Sequence, residues 1–329
     1  MKKILSVILI FLIALGLLAG CGVASVKEET AALKLRVVTT IFPIYDWVVN
    51  VLGEGAGAAE VTMLLDKGVD LHSYQPTADD IVRISNCDLF IYVGGESDEW
   101  VEDALQEAIN KNMVVIDLMD VLGDSVKEEE VVEGMEREEE EEEEGDEEEE
   151  IEYDEHVWLS LRNAAVLCRA IAEALGQINR DKAELYTANV EAYLEKLAAL
   201  DEKYRETVEA GAQRTILFGD RFPFRYLADD YGLDYYAAFV GCSAESEASF
   251  ETIIFLANKL DELGLPAVLQ IESADGSIAR TVVENTRSKD QQILTMDSMQ
   301  STTAKDVAAG ASYLSIMEKN LDVLKAALG

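Results

Sequence analysis

Histidine is the scarcest functional residue in this chain, with only two, His72 and His156, among 329 residues. The sequence contains neither the HExxH spacing of metalloproteases nor a GxSxG nucleophile elbow. Glu155 beside His156 therefore does not indicate a hydrolase. We expect a binding protein and no enzymatic activity.

Basic residues are also few: 27 Lys and Arg stand against 65 Asp and Glu, for a net charge of -38. This imbalance argues against nucleic acid or an anionic surface as a partner. Residues 128–155 hold 20 acidic residues and one base, Arg137, and so carry -19. Self-repulsion excludes a packed core there. We expect an acidic low-complexity loop at about 127–153, either a solvated disordered loop or a weak, fast-exchanging trap for divalent cations.

Long apolar runs are limited to one, residues 4–18, which follows Lys2 and Lys3. This pattern predicts a secretory signal peptide at 1–20, because the run is short for a membrane span. The tetrapeptide at 18–21 resembles a lipobox, which predicts a lipid on Cys21 that anchors the chain outside a bacterial cytoplasmic membrane. Residues 21–34 would form the leash, the segment that links the lipid on Cys21 to the folded part of the chain. An ordinary signal peptide with an incidental cysteine is the alternative.

Three cysteines remain beyond Cys21, and their odd number does not suggest a disulfide framework. Cys87 and Cys168 lie in or beside apolar helical stretches, where a small buried hydrophobic residue is the better interpretation. Cys242 receives no functional role from the sequence.

Short apolar β runs alternate with helical runs on both sides of the acidic loop, a pattern typical of parallel sheets covered on both faces. The predicted strands are 35–39, 61–65, 89–93, 114–116, 215–218, 235–239, 268–271 and 293–296. Residues 181–210 lack Gly and Pro and keep a helical periodicity, so they predict a helix about 45 Å long. The fold class is therefore α/β, with two parallel-sheet α/β domains (35–180 and 211–329) joined by one long rigid linker helix.

The two histidines lie where a ligand crevice is expected. His72 comes just after a predicted strand, and His156 just before a predicted helix. Residues beyond the ends of parallel strands line the crevice of such domains, and imidazole suits Zn²⁺ and is tolerable for Mn²⁺. Spacing alone leaves open that they are two unrelated surface histidines.

Several motifs together resemble those of one family, the metal-specific solute-binding proteins of zinc and manganese ABC importers. The resemblance runs from residue 35 to 328. The motifs are His72 with Gln75-Pro76 behind it, Asp154-Glu155-His156-Val157-Trp158-Leu159, Phe224-Arg225-Tyr226-Leu227, Tyr231-Gly232-Leu233, Glu247-Ala248-Ser249, Met296-Asp297-Ser298 and the run from Tyr313 to Asn320. The resemblance implies a metal between the domains, with His72, His156 and Asp297 as ligands.

The family's third ligand position falls on Arg221, which departs from the family pattern. Arginine stays protonated and has no lone pair for a cation. The sequence leaves open what replaces it: Asp220, Glu96, Glu245, Glu272 or water. Arg221 could also pair with one of those carboxylates, Asp297 included.

The resemblance implies extracytoplasmic capture of a divalent transition metal, and a monomer that delivers it to an ABC permease and its ATPase. Zn²⁺ is favoured over Mn²⁺ because the low-complexity loop stands where zinc members have one. Imidazole must be neutral to bind metal, so affinity should fall below about pH 6.5. The alternatives are a Mn²⁺-binding member, an acidic surface lipoprotein acting as an adhesin or cation buffer, and a binder of an organic solute or metal chelate.

Overall fold

Two four-stranded parallel sheets form the framework of the computed structural model, which describes residues 34–136, 152–243 and 247–329. The first sheet has the order β2-β1-β3-β4 and the second β6-β5-β7-β8. The strands are β1 Leu35–Thr39, β2 Ala59–Met63, β3 Leu89–Tyr92, β4 Val114–Asp117, β5 Thr215–Phe222, β6 Asp234–Val240, β7 Ala267–Ile271 and β8 Gln292–Met296. The predicted fold class is confirmed.

Some of the predicted features lie outside the described residues. These are Cys21 and the signal peptide, the leash up to residue 33, the centre of the acidic loop at 137–151, and Glu245. Residues Leu35–Gly329 form one compact unit, and the boundaries expected near 180 and 211 stay a prediction. Within the described part of the chain, no helix has the length and apolar character needed to cross a membrane.

Helices cover the sheets. They are α1 Phe42–Leu52, α2 Ala78–Asn86, α3 Trp100–Gln106, α4 Leu118–Leu122, α5 Leu161–Ile178, α6 Ala183–Ala210, α7 Arg225–Tyr231, α8 Phe250–Leu263, α9 Ser277–Asn285, α10 Ala304–Ala308 and α11 Tyr313–Leu328. Three short 3₁₀ turns, Leu71–Ser73, Glu96–Asp98 and Val157–Leu159, matter for the site. They place polar residues at the carboxyl ends of the first sheet, where ligands bind in such folds.

The long helix α6 is the predicted linker, and it follows a 3₁₀ turn at Arg180–Lys182. Its buried residues recur every three or four positions, as expected of one packed face. Tyr193 donates a hydrogen bond to Asp46 of α1 at 3.3 Å, and Tyr204 donates one to the carbonyl of Met317 in α11 at 2.6 Å. The helix is therefore attached to elements that lie before and after it in the chain.

Strand β5 is longer than the sequence predicts, extending to Phe222 instead of ending at Phe218. The register with β6 shifts between Phe218 and Arg221, and Arg221 then pairs with Phe239. In the sequence, Gly219-Asp220 resembles the end of a strand. In the structure, β5 pairs with β6 on both sides of the register shift, so the strand continues through these residues. Arg221 consequently lies in the strand itself.

Candidate metal centre

The two histidines, 84 residues apart in the chain, meet in the structure. Their Nε2 atoms are 3.2 Å apart, and their ring centroids are 5.1 Å apart. His156 is fully buried and His72 partly buried. The sequence's two scarcest functional side chains thus share one place at the end of the first sheet.

His72 is held by the turn that carries it. Asp70 accepts a hydrogen bond from the His72 amide at 3.1 Å, which starts the Leu71–Ser73 turn. The ring Nδ1 lies 2.8 Å from Ser97 Oγ and 3.3 Å from Glu155 Oε2. Because an ionised carboxylate only accepts hydrogen bonds, we assign the ring proton to Nδ1, which leaves the Nε2 lone pair free.

Glu155 is charged in this arrangement. Burial by itself would raise the pKa of Glu155, but the interaction with His72 and hydrogen bonds from Ser97 outweigh it and hold the pKa below its usual range. The Ser97 amide donates to Glu155 Oε1 at 2.8 Å. The carboxylate therefore orients His72 as an anion.

His156 is oriented in the same way by Asp154. Oδ1 of Asp154 accepts from the His156 amide at 2.8 Å and lies 3.0 Å from Nδ1 of the ring. The neighbouring Trp158 donates from its indole nitrogen to the carbonyl of Ser298 at 2.8 Å. Asp154 thus fixes the Nδ1–H tautomer, and the Trp158 contact attaches this turn to the loop after β8.

The geometry presents two lone pairs to each other. With both Nδ1 atoms donating to acidic or hydroxyl partners, both Nε2 atoms are acceptors at 3.2 Å. Facing acceptors repel unless a proton or a cation lies between them. Imidazoles oriented by carboxylates through Nδ1 are the usual arrangement of histidine ligands to metals. The pair can therefore bind a cation.

A third donor atom belongs to Cys242, which the sequence did not single out. Among the described residues, His72, His156 and Cys242 form the group of three whose donor atoms all lie within 4.8 Å of one another. Burial, followed by the charges of Asp154, Glu129 and Glu155, raises the pKa of the Cys242 thiol above its usual range. Its position directly after the apolar run at 235–239 was the signal that could have found it.

Arg221 has a partner that the sequence analysis did not consider. Its guanidinium pairs with Asp70, and its Nη1 lies 3.4 Å from the carbonyl of Ser243. The alternatives left open from the sequence did not include Asp70. One oxygen of Asp70 caps the His72 turn and the other meets Arg221. Arg221 therefore supports the His72 loop.

The expected carboxylates have other contacts. Asp297 Oδ1 accepts from the Met299 amide at 2.8 Å, and burial together with the charge of Glu272 raises the pKa of Asp297 to about 6. Asp220 accepts from the amides of Arg221 and Ile271, at 2.9 and 3.1 Å. Neither belongs to the group around the histidines that lies within 4.8 Å. Their roles as ligands stay predictions.

The carboxylate of Glu272, another alternative for the third position, supports the loop after β8. It accepts hydrogen bonds from the amide and hydroxyl of Ser298 and from the hydroxyl of Ser301, at 2.7 to 3.0 Å. Glu96 lies in its own short turn at Glu96–Asp98. Neither is in the group that surrounds the histidine pair.

Gln300 is a further neighbour that sequence reasoning missed. Its Nε2 lies 3.1 Å from His156 Nε2, and the residue is only 2% exposed. Its Oε1 is buried and has no hydrogen-bond partner among the described residues. A buried unpaired acceptor is costly, so this oxygen is available to a cation.

Known proteins resemble the chain over nearly its whole length. The family model described as zinc-uptake complex component A, periplasmic, matches residues 37–327. The zinc-binding lipoprotein AdcA of Streptococcus pneumoniae serotype 4 is 33% identical over 327 residues, covering 99% of this chain and 61% of the relative. The chain thus spans about three fifths of that relative's length.

Two further matches agree. The high-affinity zinc uptake system protein ZnuA of Bacillus subtilis is 30% identical over 314 residues, covering 95% of this chain and 94% of the relative. The crystal structure of the Zn(II)-bound ZnuA-like domain of Streptococcus pneumoniae AdcA superposes with a TM-score of 0.69 at 28% identity, covering 90% and 99% of the two chains. With its two-sheet fold and its paired histidines, the chain belongs to the zinc-uptake complex component A family.

Proposed function

We propose that this protein captures Zn²⁺ outside the cytoplasmic membrane and delivers it to an ABC permease. The observation that carries the proposal is the meeting of two Nε2 lone pairs at 3.2 Å, each set by a hydrogen bond on the opposite ring nitrogen. The family description and the relatives named for zinc binding or zinc uptake support zinc as the cargo. The function is binding, and no catalytic step is required.

We assign His72 and His156 as metal ligands. Asp297, which the family resemblance adds, accepts from the Met299 amide through Oδ1, and its other oxygen, Oδ2, would bind the metal. Asp220 accepts one hydrogen bond from the neighbouring Arg221 amide and one from the Ile271 amide, which joins β5 to β7. In this proposal Asp297 is a ligand reached on loading, and Asp220 supports the second sheet.

The family supports the proposed location and partners. The pneumococcal relative is named a lipoprotein, and the sequence around Cys21 predicts the same lipid attachment here. A tether of this kind keeps the carrier beside a permease and its ATPase in the same membrane. We expect the carrier to act as a monomer, and its acidic surface does not suit nucleic acid.

Removing both imidazoles tests this function. Chelator-stripped wild type and the His72→Ala, His156→Ala double variant would be titrated with Zn²⁺ against a fluorescent chelator. We expect affinity to fall at least about a thousandfold, because the double variant removes two of the proposed ligands and the deprotonated donors on which binding depends. Circular dichroism and thermal unfolding of the metal-free proteins would confirm that both are folded.

The opposite result has a definite meaning. If the double variant keeps tight, stoichiometric zinc binding, the histidine pair is not the site and the transport proposal fails. The acidic loop would then be the binder, and the protein a cation buffer. Metal analysis of wild type purified without chelator provides a second check, since the proposal expects about one zinc ion per chain.

A further inference from the structure

Arg221 of strand β5 does not serve as a metal ligand in this protein. Its guanidinium is engaged by Asp70 and the carbonyl of Ser243. A guanidinium cannot bind a cation. If His72 and His156 bind zinc, another side chain has to complete the site.

We propose that Cys242 is the third metal ligand and that it binds as a thiolate, so that the site selects thiophilic metals. This inference rests on the proposed function, because it concerns the same site. The donor atoms of Cys242 and the two histidines all lie within 4.8 Å of one another. That spacing requires only small side-chain movements to bring all three atoms to one ion.

The end of β6 is built to bring Cys242 close to His156. Gly241 lies between the strand and Cys242, and a Cβ at this position would lie 3.1 Å from Cε1 and Nδ1 of His156 and 2.9 Å from the carbonyl of Phe222. Any larger residue would separate the two segments. The amide of Cys242 also donates to Glu129 at 3.1 Å, which holds the thiol's backbone in place.

Gln300 provides an independent indication of a cation at this point. Its buried Oε1 has no donor among the described residues, while its Nε2 lies beside His156 Nε2. Turning the amide about its last bond would place Oε1 near the lone pair of His156. Two acceptors are tolerated there only with a cation between them. The structure therefore places a carboxamide oxygen where it can bind a cation beside His156.

The binding step is balanced by the release of one proton. Zn²⁺ forms a bond to sulfur, the S–H bond breaks, and the proton passes to solvent. No redox change and no further reactant is involved. Loading should therefore release about one more proton per zinc ion in wild type than in a variant without the thiol.

A thiolate ligand limits which metal ions the site binds tightly. Sulfur ligands favour Zn²⁺, Cd²⁺ and other soft or borderline ions, whereas Mn²⁺, Mg²⁺ and Ca²⁺ prefer oxygen. The two histidines alone tolerate both Zn²⁺ and Mn²⁺. Cys242 would thus make the site bind Zn²⁺ in preference to Mn²⁺.

Cobalt substitution tests the proposal directly. A thiolate bound to Co²⁺ gives an intense near-ultraviolet charge-transfer band that histidine and carboxylate ligands do not give. We expect the band in Co²⁺-loaded wild type, its loss in Cys242→Ser, and its retention in Cys168→Ala. Cys168 is a suitable control because it is a free thiol that lies outside the group of donor atoms around the histidines. The Zn²⁺ over Mn²⁺ preference should fall at least about tenfold in Cys242→Ser.

X-ray absorption at the zinc edge is measured on wild type, so its result does not depend on whether the Cys242→Ser variant folds. Wild type should show one sulfur neighbour at about 2.3 Å. An all-nitrogen and oxygen shell, or Cys242→Ser with unchanged spectra and metal preference, would overturn the inference while leaving the histidine site intact. If wild type does not bind zinc, the proposed function itself is overturned.

Discussion

Arg221, near the end of β5, forms an ion pair with Asp70, whose other carboxylate oxygen caps the turn that carries His72. The two side chains are 14% and 18% exposed. The pair connects the second sheet to the loop that presents a candidate ligand from the first. Arg221 thus holds the loop of a candidate ligand in place.

Breaking this pair should destabilise the protein. Arg221→Met leaves the Asp70 carboxylate without its cation, and we expect the free energy of unfolding to fall by about 1–3 kcal/mol. Urea denaturation of Arg221→Met, Asp70→Asn and the double variant would give a coupling energy of about 0.5–3 kcal/mol. The exposed pair Arg83–Asp79 is the control, with an expected coupling below about 1 kcal/mol. Equal coupling in the two pairs would contradict the prediction.

Asp154→Asn should weaken zinc binding without removing a ligand. Asp154 accepts the Nδ1 proton of His156 at 3.0 Å, and an asparagine amide could donate there and move the proton to Nε2. We expect affinity to drop about 10- to 100-fold, measured by competition with a chelator. Asp229→Asn, which changes a carboxylate bound to Lys127, is the control. Unchanged affinity in Asp154→Asn would show that tautomer control is not needed.

Gly241→Ala should disturb the site through sterics alone. The added methyl would press on the His156 ring at 3.1 Å and on the Phe222 carbonyl at 2.9 Å, so the ring must move. A misplaced ligand should reduce zinc affinity at least about tenfold. Gly57→Ala serves as the control because nothing lies within 4 Å of its added Cβ. The prediction is wrong if both variants bind zinc equally.

Asp46 should make stability depend on pH. Burial raises the pKa of Asp46 to about 6, against hydrogen bonds from Tyr313 and Tyr193 that lower it, and the unfolded value is about 3.9. The folded state thus holds this proton more tightly. The resulting contribution to stability is complete below about pH 4 and is lost as pH rises through 6.

Asp46→Asn removes that titration. The free energy of unfolding of the variant, minus that of wild type, should increase by about 2 kcal/mol between pH 4 and pH 7. Urea denaturation across this range, on metal-free protein, measures the difference. Asp79→Asn, at an exposed carboxylate, is the surface control. A constant offset for Asp46→Asn would refute the assignment.

The sequence by itself determined the fold class and one pair of candidate ligands. Apolar strand runs and the uninterrupted periodicity of 181–210 are local patterns, so they survive without knowledge of contacts. One strand end was missed for a tertiary reason: β5 continues past Phe218 because its partner strand β6 pairs again at Arg221. His72 and His156 were found because the chain offers no other imidazole.

Only the tertiary structure decided what surrounds those histidines. Cys242 and Gln300 are 86 to 170 positions away in the chain from the histidines that they approach. Arg221 and Asp70 are 151 positions apart. No spacing rule encodes such contacts, since they depend on how strand ends and loops of two sheets pack together. In the sequence, Arg221 indicated only that an expected ligand was missing. The tertiary structure shows that it pairs with Asp70.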